Sequence, residues 1–573
     1  MKKYFLWLSE IFIVLLVFLV VDNYLERREV VIKADGKGYY DYLPATFIYQ
    51  DLNFNYTDTL VTEYYDHKSY GSGYLKTIKN HQVNKYFPGA AILWVPFFEA
   101  GHLYALNSEY TSDGYSLPYQ MAIYSAALFY LWLGLVFLRL ILRLKKVPWW
   151  FIFCIQLAFA LGTPLLNYVH FDASFVHVYS FTLINMFVYF VFKYVAKPQK
   201  RFLLLAGLVL GLIFLVRPVN LMAILLVVFA FDSFNDLKIW CKNLLANHWK
   251  LLLGAILVFG MVISVLPIMW KLQTGEFFIW GYQGETFNFL SPTVFNFLFS
   301  SRKGLFIHTP LLGLIFGLSF FFLAKNNKFF QLASFIGVSY IIVYVLSSWW
   351  SWYYGTSFGS RPSIDYYIIF ALMLASILPL IQSKIMKYLM AATMVIMIPI
   401  NVIQAFQYQH YIMDWDEMTF EKFNLIKLHT ADKYRGVFFQ PKPNYKSTEV
   451  ILQDSMSFAK PLMVGSGELK EVLDLNINEQ KKMPTHVFIK MDMMIKYGES
   501  DVVVSFINQN GKRLWDKRLN CFKNLRKEKE YGTGKFYFDL PNIKETGRLV
   551  IEIQTWNDEV KINSFAIKLI SKN

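Results

Sequence analysis

The ionisable residues of this sequence gather in short polar stretches between long apolar runs, and their types limit the chemistry open to them. IKADGKGYYDYLPATF places Asp35 just after the first apolar run, followed by Gly36, Gly38, Tyr39, Tyr40 and Asp41. A carboxylate there is placed to take a proton from a hydroxyl that meets a lipid-borne substrate. An Asp-Gly turn with a solvated carboxylate is the competing reading. NKYFPG supplies Lys85 and Tyr86, and the lysine either holds a lipid phosphate or snorkels at an interface. In LNYVHFDASFVHVYSF, the spacing of His170, Asp172 and His177 is a weak metal pattern, weaker than a polar loop or a substrate hydrogen-bonding patch. Arg217 sits in the apolar GLIFLVRPVNLM, where an unpaired charge is costly and marks either a site or a boundary residue pairing with headgroups. A later segment adds Glu285, Arg302, Lys303 and His308; Arg302-Lys303 before Gly304 reads equally as a phosphate grip or as ordinary loop charge. WWSWYYGTSFGSRP, residues 349–362, crowds aromatic rings, two glycines and the lone Arg361 into one short loop.

These stretches need a frame. The chain has 573 residues, 55% hydrophobic and 18% aromatic, which points to a polytopic membrane protein. The net charge of +15 does not indicate nucleic acid, because the basic residues are scattered beside apolar runs (Lys2, Lys3, Arg143, Lys145, Lys146, Lys197, Lys200, Arg201) and not gathered on one face. That scatter is the positive-inside pattern and puts the N-terminus in the cytoplasm. The basic, apolar start lacks a small-residue cleavage site and reads as a retained signal anchor.

Expected spans are 5–21, 119–142, 149–165, 175–194, 202–216, 219–231, 251–270, 305–323, 329–347, 364–380 and 388–407. That is about 11 crossings of roughly 30 Å of hydrocarbon. Residues 22–117 form a large first external loop, in which Pro96, Glu99 and His102 suggest that 87–106 lies at the interface. An odd number of spans leaves the C-terminus outside. The membrane domain is expected over 1–410, a linker over 411–446, and an extracytoplasmic β-sandwich of jelly-roll type over 447–573, with carbohydrate binding as a candidate role. The tail's alternating or β-rich segments (THVFIKMDMMIKY, DVVVSFI, RLWDKRL, GKFYFDL, RLVIEIQTW, VKINSFAIKLI) and Asn510-Gly511 are strand and hairpin signals. On this topology Cys154, Cys241 and Cys521 cannot pair. There is no Walker loop, no GxGxxG and no inward-facing DxD for a nucleotide-sugar and its metal. A reaction on the outer face therefore needs an activated donor delivered through the lipid.

At this point the residues carry a resemblance. ADGKGYYDYLP, KYFPGAAILWVPFF, GLVLGLIFLVRPVN, RKGLFIHTPLLGL, WWSWYYGTSFGSRP and VHVYSF, spread over about 1–380, resemble the GT-C superfamily of integral-membrane glycosyltransferases. Within it the chain looks like bacterial relatives of protein O-mannosyltransferases and lipid A aminoarabinose transferases, glycosyltransferase family 39. The resemblance implies a GT-C-like helical domain in a bacterial inner membrane and inverting transfer of a sugar from a polyprenyl-phosphate donor. The acceptor is a glycan, lipid or protein. It matches the family's first acidic residue to Asp35. The usual paired Asp-Glu is missing, since Gly36 follows, so Asp41 and Asp172 are candidates for the second role. The phosphate leaving group calls for cations: Arg361 first, then Arg217, Lys85 and Arg302. Tyr39, Tyr86, His177, Glu285 and Trp352 are the candidate substrate contacts. No cofactor is assigned, and a divalent metal is left open without support. The alternatives are a non-catalytic carrier or flippase for lipid-linked glycans, or a structural membrane protein.

Overall fold

In a computed structural model the described residues are all but Met1, 25–29, 61, 63–72, 439–447, 466, 478–483, 496–499, 522–524, 526–530, 541–545, 556–558 and 573. Parts of the expected first loop (25–29, 61, 63–72) and of the expected linker (439–446) thus lie outside the described residues. The chain divides into two compact units, one of Met1–Thr62 and Asp66–Ala405, the other of Glu63–Tyr65 and Phe406–Asn573.

The first unit is helical. By length and composition, six helices among the described residues suffice to cross a bilayer: Gly89–Leu106, Leu117–Leu144, His177–Ala196, Trp249–Thr274, Phe329–Ser347 and Lys384–Gln409. Shorter apolar helices are Leu8–Val21, Trp149–Leu161, Pro310–Lys325 and Ile368–Leu380. The 87–106 segment, read as lying at the interface, is one continuous helix from Gly89 to Leu106 through Pro96, and by length and hydropathy it would also suffice as a span. One feature differs from expectation. The expected span 219–231 is a 3-10 helix, Pro218–Ala230, bent by 113° from the following helix Phe234–Asn247. At roughly 2.0 Å per residue a 3-10 helix is longer than an α-helix of equal count, so this short segment reaches about 26 Å.

A buried polar knot ties three helices of this unit. Arg139 Nε meets Glu10 Oε1 at 2.6 Å, and Gln156 Nε2 donates to the same oxygen at 2.8 Å. Charges so placed persist only when paired, and this pair joins Leu8–Val21 to Leu117–Leu144. The loop then forms short helices Asp35–Tyr40 and Tyr42–Phe47 and a two-stranded hairpin, β1 (Leu75–Ile78) and β2 (His81–Asn84). The hairpin delivers Lys85 and Tyr86.

The second unit is all-β over most of its length. β3 (Thr448–Val464), β4 (Leu469–Asn476), β5 (His486–Ile495), β6 (Ser500–Asn508), β7 (Arg513–Asn520), β8 (Gly532–Asp539), β9 (Gly547–Thr555) and β10 (Val560–Lys572) form two four-stranded antiparallel sheets, ordered β3-β10-β5-β8 and β4-β9-β6-β7. Period-two burial builds the core: Val487, Ile489, Met491, Met493 and Ile495 from one sheet meet Val502, Val504, Phe506, Leu549, Ile551 and Ile553 from the other. Along β10 the inward residues change parity between Ile562 and Phe565, where a register shift lets one residue slip. Asn508 and Lys512 close the β6–β7 hairpin, with Gly511 at φ +77, as the Asn-Gly signal suggests. β3 and β4 were not anticipated. β3 carries Pro461, which an edge strand tolerates. Tyr411 and Trp415, expected in a linker, pack into the β core instead.

Candidate functional site

Asp35 opens the short helix Asp35–Tyr40, preceded by Ala34 at φ 47, a conformation that costs a non-glycine residue energy. The turn is held from outside. Val31 and Ile32 both donate to Gln120 Oε1 at 2.9 Å, and Ser174 Oγ donates to the Val31 carbonyl at 2.8 Å. Gly36 and Gly38 are needed for space: a Cβ on Gly36 would fall 1.9 Å from Ser174 Oγ, and one on Gly38 2.5 Å from the Tyr86 ring. The glycines thus let Tyr86 and the Ser174 segment close on Asp35.

Arg361 comes from the aromatic loop, and its Nη1 lies 2.7 Å from Asp35 Oδ2. The loop is anchored on two sides. Trp350 N donates to Thr286 O at 3.0 Å and Asn288 N to Ser348 O at 2.6 Å, zipping it to the segment that carries Glu285. The Tyr168 hydroxyl brackets Phe358, donating to its carbonyl and accepting from its N–H, each at 3.1 Å. Many of the rings therefore pack the loop in place, Trp349 against Tyr282 and Phe287 among them.

Around the Asp35–Arg361 pair stand two further ion pairs. Lys85 Nζ meets Glu285 Oε1 at 2.6 Å, and Arg217 Nη1 meets Asp365 Oδ2 at 2.7 Å. Arg217 caps the helix Lys200–Val216, where Pro218 ends the α-helical pattern and turns the guanidinium inward. Asp365 also receives His177 Nδ1 at 2.9 Å and Asn220 Nδ2 at 2.8 Å. Tyr39 lies within electrostatic reach of Asp35, Arg217, Arg361 and Asp365, and its ring is 4.3 Å from that of Tyr86. Tyr282 and Tyr354 close the same cluster. Burial would raise the Asp35 carboxyl, but Arg361, the Tyr86 hydroxyl and Lys85 outweigh it and hold it below the usual carboxylate range. Burial does raise Asp172; Lys33 at 3.6 Å, Asn167 and Arg361 offset it only in part.

Of the residues singled out in the sequence, Asp35, Arg361, Arg217, Lys85, Tyr39, Tyr86, His177 and Glu285 thus come together, with Asp172 at the edge. Three do not. Asp41 is fully buried, accepting from the Tyr74 hydroxyl and from Tyr115 at 3.0 Å, with Lys37 at 3.9 Å, so its carboxylate braces the loop. Arg302 stacks on the Tyr353 ring at 3.4 Å, and Trp352 lies 5.9 Å from that same ring. Asp365, Asn220, Tyr282 and Tyr354 were missed. Asp365 was hidden at the head of an apolar run, and its signal was a lone carboxylate four residues after Arg361. Among the described residues no group of three or more His, Cys, Asp or Glu could hold a metal ion; His177 turns to Asp365 while Asp172 turns to Asn167 and Lys33.

Neither a protein-family model nor a curated protein matches the chain. Among solved structures, the single-particle cryo-EM structure of arabinosyltransferase EmbB from Mycobacterium smegmatis is similar at 8% identity and a TM-score of 0.27. The match covers 78% of this chain and 56% of that one, so the chain spans little more than half of that protein. A score so low leaves the functional reading to the geometry above.

Proposed function

We propose that this chain is an inverting glycosyltransferase of the bacterial inner membrane. It would move a sugar from a polyprenyl-phosphate donor to an acceptor hydroxyl on the extracytoplasmic side. The observation that carries the reading is Asp35 paired with Arg361 at 2.7 Å, inside a ring of further cations and tyrosines in a helical unit long and apolar enough for a membrane. Asp35 takes the acceptor hydroxyl's proton while that oxygen attacks the sugar's anomeric carbon. The bond from that carbon to the donor phosphate breaks with its electron pair on the phosphate oxygen. Arg361 and Arg217 stabilise the charge that gathers there, needing no proton of their own. Attack opposite the leaving group inverts the anomeric centre. Before this, the donor phosphate must share Arg361 with Asp35, which frees the carboxylate as the base.

The strand order β3-β10-β5-β8 and β4-β9-β6-β7 supports a jelly-roll reading of the second unit, and we assign it an extracytoplasmic, glycan-binding role. The test is to incubate purified protein with polyprenyl-phosphate sugars and mixed glycan, lipid and peptide acceptors, and to follow release of free polyprenyl phosphate. Release with an inverted product supports transfer. Movement of the intact lipid-linked sugar across proteoliposomes without any release would favour the carrier reading and overturn this one.

A further inference from the structure

Asp365 accepts from three donors and is fully buried. Two of them, Arg217 Nη1 at 2.7 Å and Asn220 Nδ2 at 2.8 Å, share Oδ2, while His177 Nδ1 at 2.9 Å takes Oδ1. Asn220 is itself fixed, since the Tyr366 hydroxyl donates to its Oδ1 at 3.1 Å. An ionised carboxylate only accepts, so Nδ1 of His177 carries a proton, and in the neutral imidazole it is the ring's sole N–H proton. Nε2 is then a lone-pair acceptor, and it has no hydrogen-bond partner among the described residues. Tyr168 holds the ring from the side, its centroid 5.0 Å away at 75°.

We propose that Asp365 is a positioning residue of the site, fixing the His177 tautomer so that Nε2 accepts a hydrogen bond from a hydroxyl of the donor sugar. The same carboxylate aims Arg217 at the phosphate beside it. This rests on the transferase reading and adds the sugar's recognition to it. The division of labour is phosphate to Arg217 and Arg361, hydroxyl to His177.

Asp365→Asn separates the two duties. Arg217 and Asn220 can only donate here, so the Asn oxygen must face them and its NH2 must face His177 Nδ1. The imidazole answers by moving its proton to Nε2, which turns an acceptor into a donor while Arg217 keeps its partner. Affinity for free polyprenyl phosphate should not fall, and can rise by up to about tenfold, because the amide competes less than the carboxylate for Arg217. Turnover of the sugar-bearing donor, as kcat/KM, should fall on the order of 10–100-fold, the range for a buried hydrogen bond of reversed polarity. In a His177→Phe background the same change should cost less than about threefold, because residues acting as one unit are not additive. Equal loss of phosphate affinity and turnover, a full loss persisting in the His177→Phe background, or unchanged kcat/KM in Asp365→Asn would each overturn the positioning role. A parent protein that binds no polyprenyl phosphate and releases none overturns the transferase reading along with it. Phosphate binding and release in the parent, with Asp365→Asn indistinguishable from it, overturns the positioning role alone.

Discussion

Asp35→Asn is the perturbation that separates chemistry from binding at this site, because it should move the two in opposite directions. General-base assistance is worth about 10²–10⁴-fold, or roughly 2.7–5.4 kcal/mol at 1.36 kcal/mol per tenfold. Turnover should fall by that amount, since an amide cannot take the acceptor's proton. Donor affinity should not fall with it. In the resting site Asp35 holds Arg361 at 2.7 Å, so a donor phosphate must compete with a carboxylate for the same guanidinium. A charge-assisted hydrogen bond contributes about 1.5–3 kcal/mol net, and the one-third exposure of the Asp35 side chain puts this one near the lower bound. Replacing the anion by a neutral amide gives back part of that, so polyprenyl phosphate should bind equally or up to about tenfold more tightly. The assay pairs single-turnover release of labelled polyprenyl phosphate with equilibrium binding of the unlabelled lipid in detergent. Full turnover in Asp35→Asn would remove Asp35 as the base. Weakened lipid binding would show that Asp35 and phosphate do not compete for Arg361, and the proposed sharing of that arginine would be wrong.

The remaining predictions use other parts of the same geometry. Arg361→Gln removes the largest influence holding the Asp35 carboxyl low, so the carboxyl rises and the acid limb of kcat/KM moves to higher pH; an unmoved limb would detach Arg361 from Asp35. Lys37 is buried and pushed down to about 7 from 10.5, with Asp41 countering in part. Between those values the unfolded chain holds a proton that the folded one lacks, so stability should rise with pH from about 7 toward 10.5. Lys37→Met should flatten that rise, and thermal midpoints in one detergent across that range would read it. In the β unit, Phe506 is fully buried between the sheets, and Phe506→Ala should cost about 3–5 kcal/mol on chemical denaturation of the full chain. A cost below about 1 kcal/mol would mean that the two sheets do not share the packed core described.

Much of the site was legible because its residues lie in polar breaks between apolar runs, where Asp35, Lys85, Arg217, Glu285 and Arg361 stand out one by one. Asp365 did not stand out: Ile364 and Tyr366 flank it, and hydropathy averages a single carboxylate away. Its partners come from 177, 217 and 220, and only the packing of three segments reveals that it pairs with them. The glycines of ADGKG stand out in the sequence, but a tight bend and a close approach of Tyr86 leave the same letter there, and only the packing tells them apart. In the helical unit the apolar runs show where helices are long and apolar enough to cross a bilayer. They do not show that 218–230 winds as a 3-10 helix, because hydropathy carries no information on winding. In the β unit, alternating or β-rich runs mark β5 to β10, while β3, broken by Pro461 and a register shift, leaves no such trace.

Under the proposed function, the three ion pairs around Asp35 bear on how a lipid-borne donor would be selected. Lys85 with Glu285, Arg217 with Asp365 and Arg361 with Asp35 cancel in pairs, so three strong cations project almost no net field. An array of bare arginines would collect the head group of any passing phospholipid, and abundant lipids would clog it. Cancelled charges impose a threshold: only a ligand that engages the neighbouring hydrogen-bonding groups as well as a cation repays the opening of a pair. On the transferase reading proposed above, a rare lipid-linked donor would in this way be picked out from a vast excess of common lipids without the site being strongly attractive to phosphate at a distance.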